Sequence, residues 1–161
     1  MCNQEPRWTG AKRATQAANT DMKHVVVDTS VAVQWIVKQE HPEVADDLFL
    51  AGYSGKSTLH VPALWLWECG SALLNYCKAG WFSLHDMDSH LAALRYPKPH
   101  IDMLPTAALQ SDIAQLALIH KLSFYDASYL ELALRRKATL ATLDKKLKAA
   151  AVKAGATCLD F

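Results

Sequence analysis

The sequence predicts an α/β domain with a mainly parallel central sheet covered by helices. Two observations carry this. Short β-branched runs alternate along the chain with longer segments of helical periodicity, and several of the runs stop at Asp or Pro shortly before a helix begins. A length of 161 residues suits one core, burying about two-thirds of the extended surface.

Residues 1–21 are polar, rich in Ala, Thr, Asn and Gln, and show no periodicity, so an unstructured or loosely attached extension is expected there, with the domain occupying 22–161. Met22-Lys23 resembles a natural start, which would make the preceding residues an upstream addition. His24–Val27 is a β-branched run ending at Asp28, the mark of a buried parallel strand. Ser30 to about Lys38 reads as a helix. Pro42 opens a second one running to about Ala51. Gly52 to Ser57 is a loop, and Leu59–Val61 a short strand stopped by Pro62. A strongly apolar helix follows from about Ala63 to Ala79, with Gly80 as its left-handed cap. Ser83 caps another helix through about Leu94. The Pro-rich stretch Tyr96 to Pro105 leaves room for a strand around Ile101–Leu104. Thr106 to His120 is a helix with Leu109, Ile113, Leu116 and Ile119 on its buried side. Ser123 opens a helix from about Phe124 to Arg136. Thr139–Thr142 is a strand, Asp144–Ala154 a basic helix, and Thr157–Leu159 a last strand.

Composition excludes several classes. No apolar run reaches the roughly 20 residues that a bilayer span needs, and the start lacks the apolar core of a secretory signal, so a cytoplasmic protein is expected. Cys69 and Cys77 lie in one helical segment, about 12 Å apart along its axis and too far for a disulfide. With Cys2 and Cys158 near the ends and no Cys/His metal spacing, all four read as reduced. The net charge of +1 gives no global sign of nucleic-acid binding. Between Lys121 and Lys153, however, eight basic residues stand against three acidic ones. Lys121, Lys145 and Lys146 are the candidates there for a phosphate-guiding rim; a solvated helix face is the plainer reading.

Four acids do not fit a solvent face. Asp28 ends an apolar strand, where α/β proteins place ligands, although it or Ser30 could simply cap the next helix. Glu68 sits mid-helix between apolar residues, where capping explains nothing. Asp126 belongs to a Ser-x-x-Asp start that resembles a capping box, yet shares a stripe with Tyr129, Leu130 and Ala133. Asp144 follows a strand and opens a helix, where N-capping is again the plainer account. Together the four can converge on one edge of the sheet. Two carboxylates about 4 Å apart repel by roughly 4 kcal/mol at an effective dielectric near 20, and no motif supplies an adjacent Arg. Hard oxygen ligands of this charge call for Mg²⁺ or Mn²⁺, which bind phosphate oxygens and activate water.

The segments Val25-Val-Val-Asp28-Thr-Ser30, Pro62-Ala-Leu-Trp-Leu-Trp-Glu68, Leu122-Ser-Phe-Tyr-Asp126-Ala-Ser-Tyr129-Leu-Glu-Leu-Ala133 and Leu140-Ala-Thr142-Leu-Asp144-Lys-Lys-Leu147 resemble, in order and spacing, the four motifs of PIN domains. They are most similar to VapC toxins of toxin–antitoxin pairs, and the resemblance runs from about Met22 to the C-terminus. It implies a three-layer α/β/α fold, a homodimer and an acidic site for Mg²⁺ or Mn²⁺. Asp28 and Asp126 would be the firmest ligands, Glu68 and Asp144 would complete the site directly or through water, and the Ser30 and Thr142 hydroxyls would line it. The implied reaction is hydrolysis of an RNA phosphodiester by activated water, leaving 5′-phosphate and 3′-hydroxyl ends, under the control of a VapB-type antitoxin. Ser71 departs from the pattern, since members often carry Asn there. Two other readings compete: a non-catalytic PIN-like module binding RNA or a partner, and a haloacid-dehalogenase-type phosphatase. The second needs an acid two residues after Asp28, where Ser30 stands.

Overall fold

A computed structural model describes residues 23–39 and 42–161; the expected extension at 1–21 lies outside them. The elements run β1 (His24–Val27), α1 (Thr29–Ala32), α2 (Pro42–Tyr53), β2 (Thr58–Val61), α3 (Trp65–Lys78), α4 (Met87–Ala93), β3 (His100–Ile101), α5 (Ala107–His120), α6 (Phe124–Arg136), β4 (Thr139–Ala141) and α7 (Lys145–Lys153). The fold is a three-layer α/β/α sandwich about a parallel sheet of order β3-β2-β1-β4. No helix among the described residues is long and apolar enough to cross a membrane.

β1 is the axis of the molecule. Val25, Val26 and Val27 have no exposed surface, as a strand covered on both faces requires. β1 pairs in parallel with β2, Val26 opposite His60, and with β4, Val27 opposite Ala141. All the strands therefore end on one edge. The chain builds the sheet outward on one side through β2 and β3, then returns to the other side with β4. The order reverses at β1, the place where open parallel sheets form crevices. α6 covers the core with the fully buried Ala127, Leu130 and Tyr129 side chains turned inward.

Several expected elements differ. The helix read from Ser30 to Lys38 is one α-turn followed by a 3-10 turn at Val33–Trp35. Its β-branched residues are poor helix formers, and the Trp35 indole donates to the Ala45 carbonyl at 3.0 Å, drawing the chain onto α2. The strand near Ile101–Leu104 is only His100–Ile101, because Met103 and Leu104 lift away from the sheet, 85% and 82% exposed. Thr157–Leu159 contributes a single parallel bridge, Leu140 with Cys158, rather than a strand. Ile119, placed by periodicity on the buried side of α5, is 70% exposed, as is its neighbour Leu118 at 81%. The helix is apolar around most of its circumference, so periodicity does not choose a face; contact with α6 does.

Candidate active site

Asp28 leaves β1 with its N–H still donating to the Ala141 carbonyl at 2.9 Å, which locks it to the end of β4. It stands at the N-cap position of α1 but makes no side-chain capping bond. Instead its Oδ2 accepts from the Ser30 hydroxyl at 2.6 Å and the Thr142 hydroxyl at 2.7 Å. Each hydroxyl is itself held from behind: the N–H of Leu143 donates to Ser30 Oγ, and that of Asp144 to Thr142 Oγ1, both at 3.0 Å. Two relays from the β4–α7 turn thus converge on one carboxylate oxygen. Burial pushes the Asp28 carboxyl up, the two hydroxyls and a backbone N–H from Thr29 pull it down, and the Asp126 charge pushes it up again.

Because α3 begins at Trp65 rather than near Ala63, Glu68 lies not mid-helix but in its first turn, where a carboxylate also suits the helix N-terminus, and is half-buried. Its Oε2 accepts from Tyr129 and, at 3.3 Å, from Thr29; the Tyr129 and Thr29 hydroxyls are 3.0 Å apart. Burial again raises its carboxyl most. The Tyr129 hydrogen bond opposes this, Asp28 adds to it, Thr29 opposes it, and Asp126 adds to it. The buried Tyr129 phenol is pushed well above its ordinary value by the same surroundings. The sequence motifs do not single out Thr29 or Tyr129, although Tyr129 shares a helical stripe with Asp126 and Thr29 separates Asp28 from Ser30.

Asp126 combines two roles. Ser123 Oγ accepts from its N–H at 3.0 Å and donates to its Oδ2 at 2.7 Å, so the capping motif is real. Yet its charge reaches both Asp28 and Glu68. Asp144 is placed differently. It is exposed, and its Oδ1 accepts from the Lys146 and Leu147 N–H groups at 2.7 and 2.9 Å, capping α7. The charges of Asp28, Glu68 and Asp126 therefore repel one another across the site, while Asp144 stands at the rim, joined to Asp28 through its backbone N–H and Thr142.

Among the described residues, no salt bridge reaches any of these four acids. Nor is any group of three or more His, Cys, Asp or Glu gathered tightly enough to hold a metal by itself. The basic tract divides. Arg135 and Arg136 are bound to Asp102, Arg135 also to Glu131, and Lys148 to Asp160. Lys145 and Lys146 are exposed in the first turn of α7 beside Asp144, and Lys121 is exposed at the left-handed C-cap of α5. Leu64, Trp67, Glu68, Ser71 and Tyr125 line a recess at this edge.

The model of the PIN domain family matches residues 25–153. Two solved structures share the fold. PAE2754 from Pyrobaculum aerophilum has a TM-score of 0.62 at 20% identity, covering 85% of this chain and 90% of its own. VapC20 of Mycobacterium tuberculosis, a sarcin-ricin loop cleaving toxin, has a TM-score of 0.59 at 20% identity, covering 78% and 94%. A search of curated proteins finds no match in sequence.

Proposed function

The chain belongs to the PIN domain family, and from that premise we propose that it is a metal-dependent endoribonuclease, the toxin component of a VapBC-type pair acting in the cytoplasm. The observation that carries the reading is the trio Asp28, Glu68 and Asp126. Three carboxylates from separate segments act on one another at the carboxyl edge of a parallel sheet, with no ion pair among the described residues to neutralise them. Their hydroxyl partners offset part of the mutual repulsion, and a bound cation would relieve the rest.

The donor set fits Mg²⁺ or Mn²⁺: every candidate ligand is a hard oxygen. Among the described residues the acids form no ready-made cage, so an ion there would keep several waters of its own. Asp28, Glu68 and Asp126 would hold the ion, with Asp144 reaching it through water. When bound, it supplies Lewis acidity at the phosphate and water activated near neutral pH. The chain's own contribution is orientation. Ser30 and Thr142 hold Asp28 by one oxygen, while Tyr129 and Thr29 hold Glu68, so neither carboxylate must reorganise as charge builds on the phosphate. Lys121, Lys145 and Lys146 would guide the RNA backbone. Hydrolysis would leave 5′-phosphate and 3′-hydroxyl ends.

Incubating purified protein with unstructured RNA tests this. Cleavage in Mn²⁺ that EDTA abolishes is expected. No cleavage in Mn²⁺ or Mg²⁺ by folded protein freed of any antitoxin would favour the non-catalytic module. The phosphatase reading is weaker, because the Ser30 hydroxyl donates to Asp28 and no second acid follows there.

The same proposal includes a homodimer, an antitoxin of VapB type and a nuclease domain spanning 22–161. Exposed Leu118 and Ile119 at the end of α5 offer a second copy an apolar surface. Leu118→Glu/Ile119→Glu protein should sediment as a monomer where the parent is a dimer. Dimers in both would place the interface elsewhere.

A further inference from the structure

Each of two site acids is preceded in the chain by a large aromatic residue that the fold leaves in water. Trp67, before Glu68, is 81% exposed, and Tyr125, before Asp126, is 63% exposed. Both line the recess into which Glu68 opens, and both also border the adjoining apolar groove along Met103 and Phe124. Neither ring stacks on another aromatic among the described residues. Trp35, by contrast, packs on Phe49, and Trp81 on Tyr76. Trp67 and Tyr125 thus present free aromatic faces at the site; Tyr96, 57% exposed, also has no ring partner among the described residues but does not line this recess.

Resting on the nuclease reading above, we infer that Trp67 and Tyr125 stack on unpaired bases flanking the phosphodiester presented to Glu68 and Asp126. Next to an anionic cluster the rings have no charge with which to take a phosphate, but they have open π faces suited to bases. In a duplex those base faces are already occupied by neighbours, so only a splayed base can use them. A second copy of the chain seated on the rings would close the recess that Glu68 opens into, which disfavours that occupant.

The test compares the parent with Trp67→Ala, Tyr125→Ala, Trp67→Phe and Trp81→Ala. Cleavage of a fluorescent unstructured RNA in Mn²⁺ is measured, together with binding of the same RNA in EDTA, where turnover stops. The two Ala variants near the site should weaken RNA binding and raise KM about tenfold or more each, the scale of one lost base stack, with kcat within about twofold. Trp67→Phe should recover most of the loss, and Trp81→Ala should behave as the parent. The Mn²⁺-induced rise in melting temperature should be unchanged in all four, showing the carboxylates undisturbed. Unaltered binding and KM in Trp67→Ala and Tyr125→Ala would overturn the inference. So would dissociation of a dimer in step with the loss, which would assign the rings to a second copy. RNA binding that depends on Trp67 without any cleavage by the parent would sink the nuclease reading and leave the stacking intact.

Discussion

Asp126→Asn protein is expected to fold normally and to cut RNA at least a thousandfold more slowly than the parent. The substitution separates two roles that the structure superimposes on one side chain. As a capping partner, Asp126 accepts the Ser123 hydroxyl at 2.7 Å, and the Asn carbonyl oxygen can accept the same bond. The bond that caps the helix, from the Asp126 N–H to Ser123 Oγ, involves only its backbone. If capping were its whole purpose, the change would cost a few tenths of a kcal/mol to about 1 kcal/mol and leave cleavage intact. As an anion acting on Asp28 and Glu68, it raises the energy of the metal-free site. Removing its charge should then leave the EDTA-treated protein as stable as the parent or more so. Cleavage should collapse, since several kcal/mol of charge stabilisation at the phosphate would be lost and each 1.36 kcal/mol is tenfold in rate. Asp47→Asn, at an exposed position on α2, is the control. Parental cleavage by Asp126→Asn in Mn²⁺ would remove Asp126 from the ligand set.

Much of the frame is local in origin and therefore legible in the sequence. β1 and α6 have the bounds their composition implies, because a β-branched run ends at an Asp and a Ser opens the helix with its own side chain. α3 stops two residues before Gly80, whose φ of 83° is the left-handed conformation that glycine adopts without strain. What could not be read locally depends on distant contacts. The breakdown of helix after Ala32 reflects the Trp35 bond to Ala45, and the exposed side of α5 reflects where α6 lies. The site behaves in the same way. Its acids stand out because each is an oddity in its own segment. Their wiring does not: the Thr142 bond to Asp28 spans 114 residues and that of Tyr129 to Glu68 spans 61. Asp144 shows the converse, a plain local motif whose side chain does the plain local thing and caps a helix.

Mn²⁺ should raise the melting temperature by about 5–10 °C at a hundredfold excess over its dissociation constant, and Asp28→Asn should abolish most of that rise. The figure follows from mass action, about 2.7 kcal/mol at that excess, with roughly 2–4 °C per kcal/mol for a domain of this size. Asp28 is the sharpest probe because it is the most enclosed of the four acids, 9% exposed, and is pinned through two hydroxyls. Its Asn variant can direct the amide oxygen at Ser30 and Thr142, so the loss should be of charge rather than of fold. The sign of the pH dependence gives an independent check. In the folded, metal-free chain the Asp28 and Glu68 carboxyls are both raised, by burial first and by neighbouring acids in addition. A raised carboxyl binds its proton more tightly in the folded state. Its contribution to stability is therefore full below the unfolded carboxylate pKa, near 4, and is lost as pH rises through the folded value. His60, whose imidazole is lowered to about 4 by burial first, works in the opposite sense over the same range, so the check is a difference. From pH 4 toward neutrality the EDTA-treated parent should lose stability relative to Asp28→Asn. Mn²⁺ favours the ionised form and should restore stability mainly on the neutral side of that window. A parent whose melting temperature ignores millimolar Mn²⁺, with a pH profile superimposable on that of Asp28→Asn, would show that the carboxylates are not a metal centre.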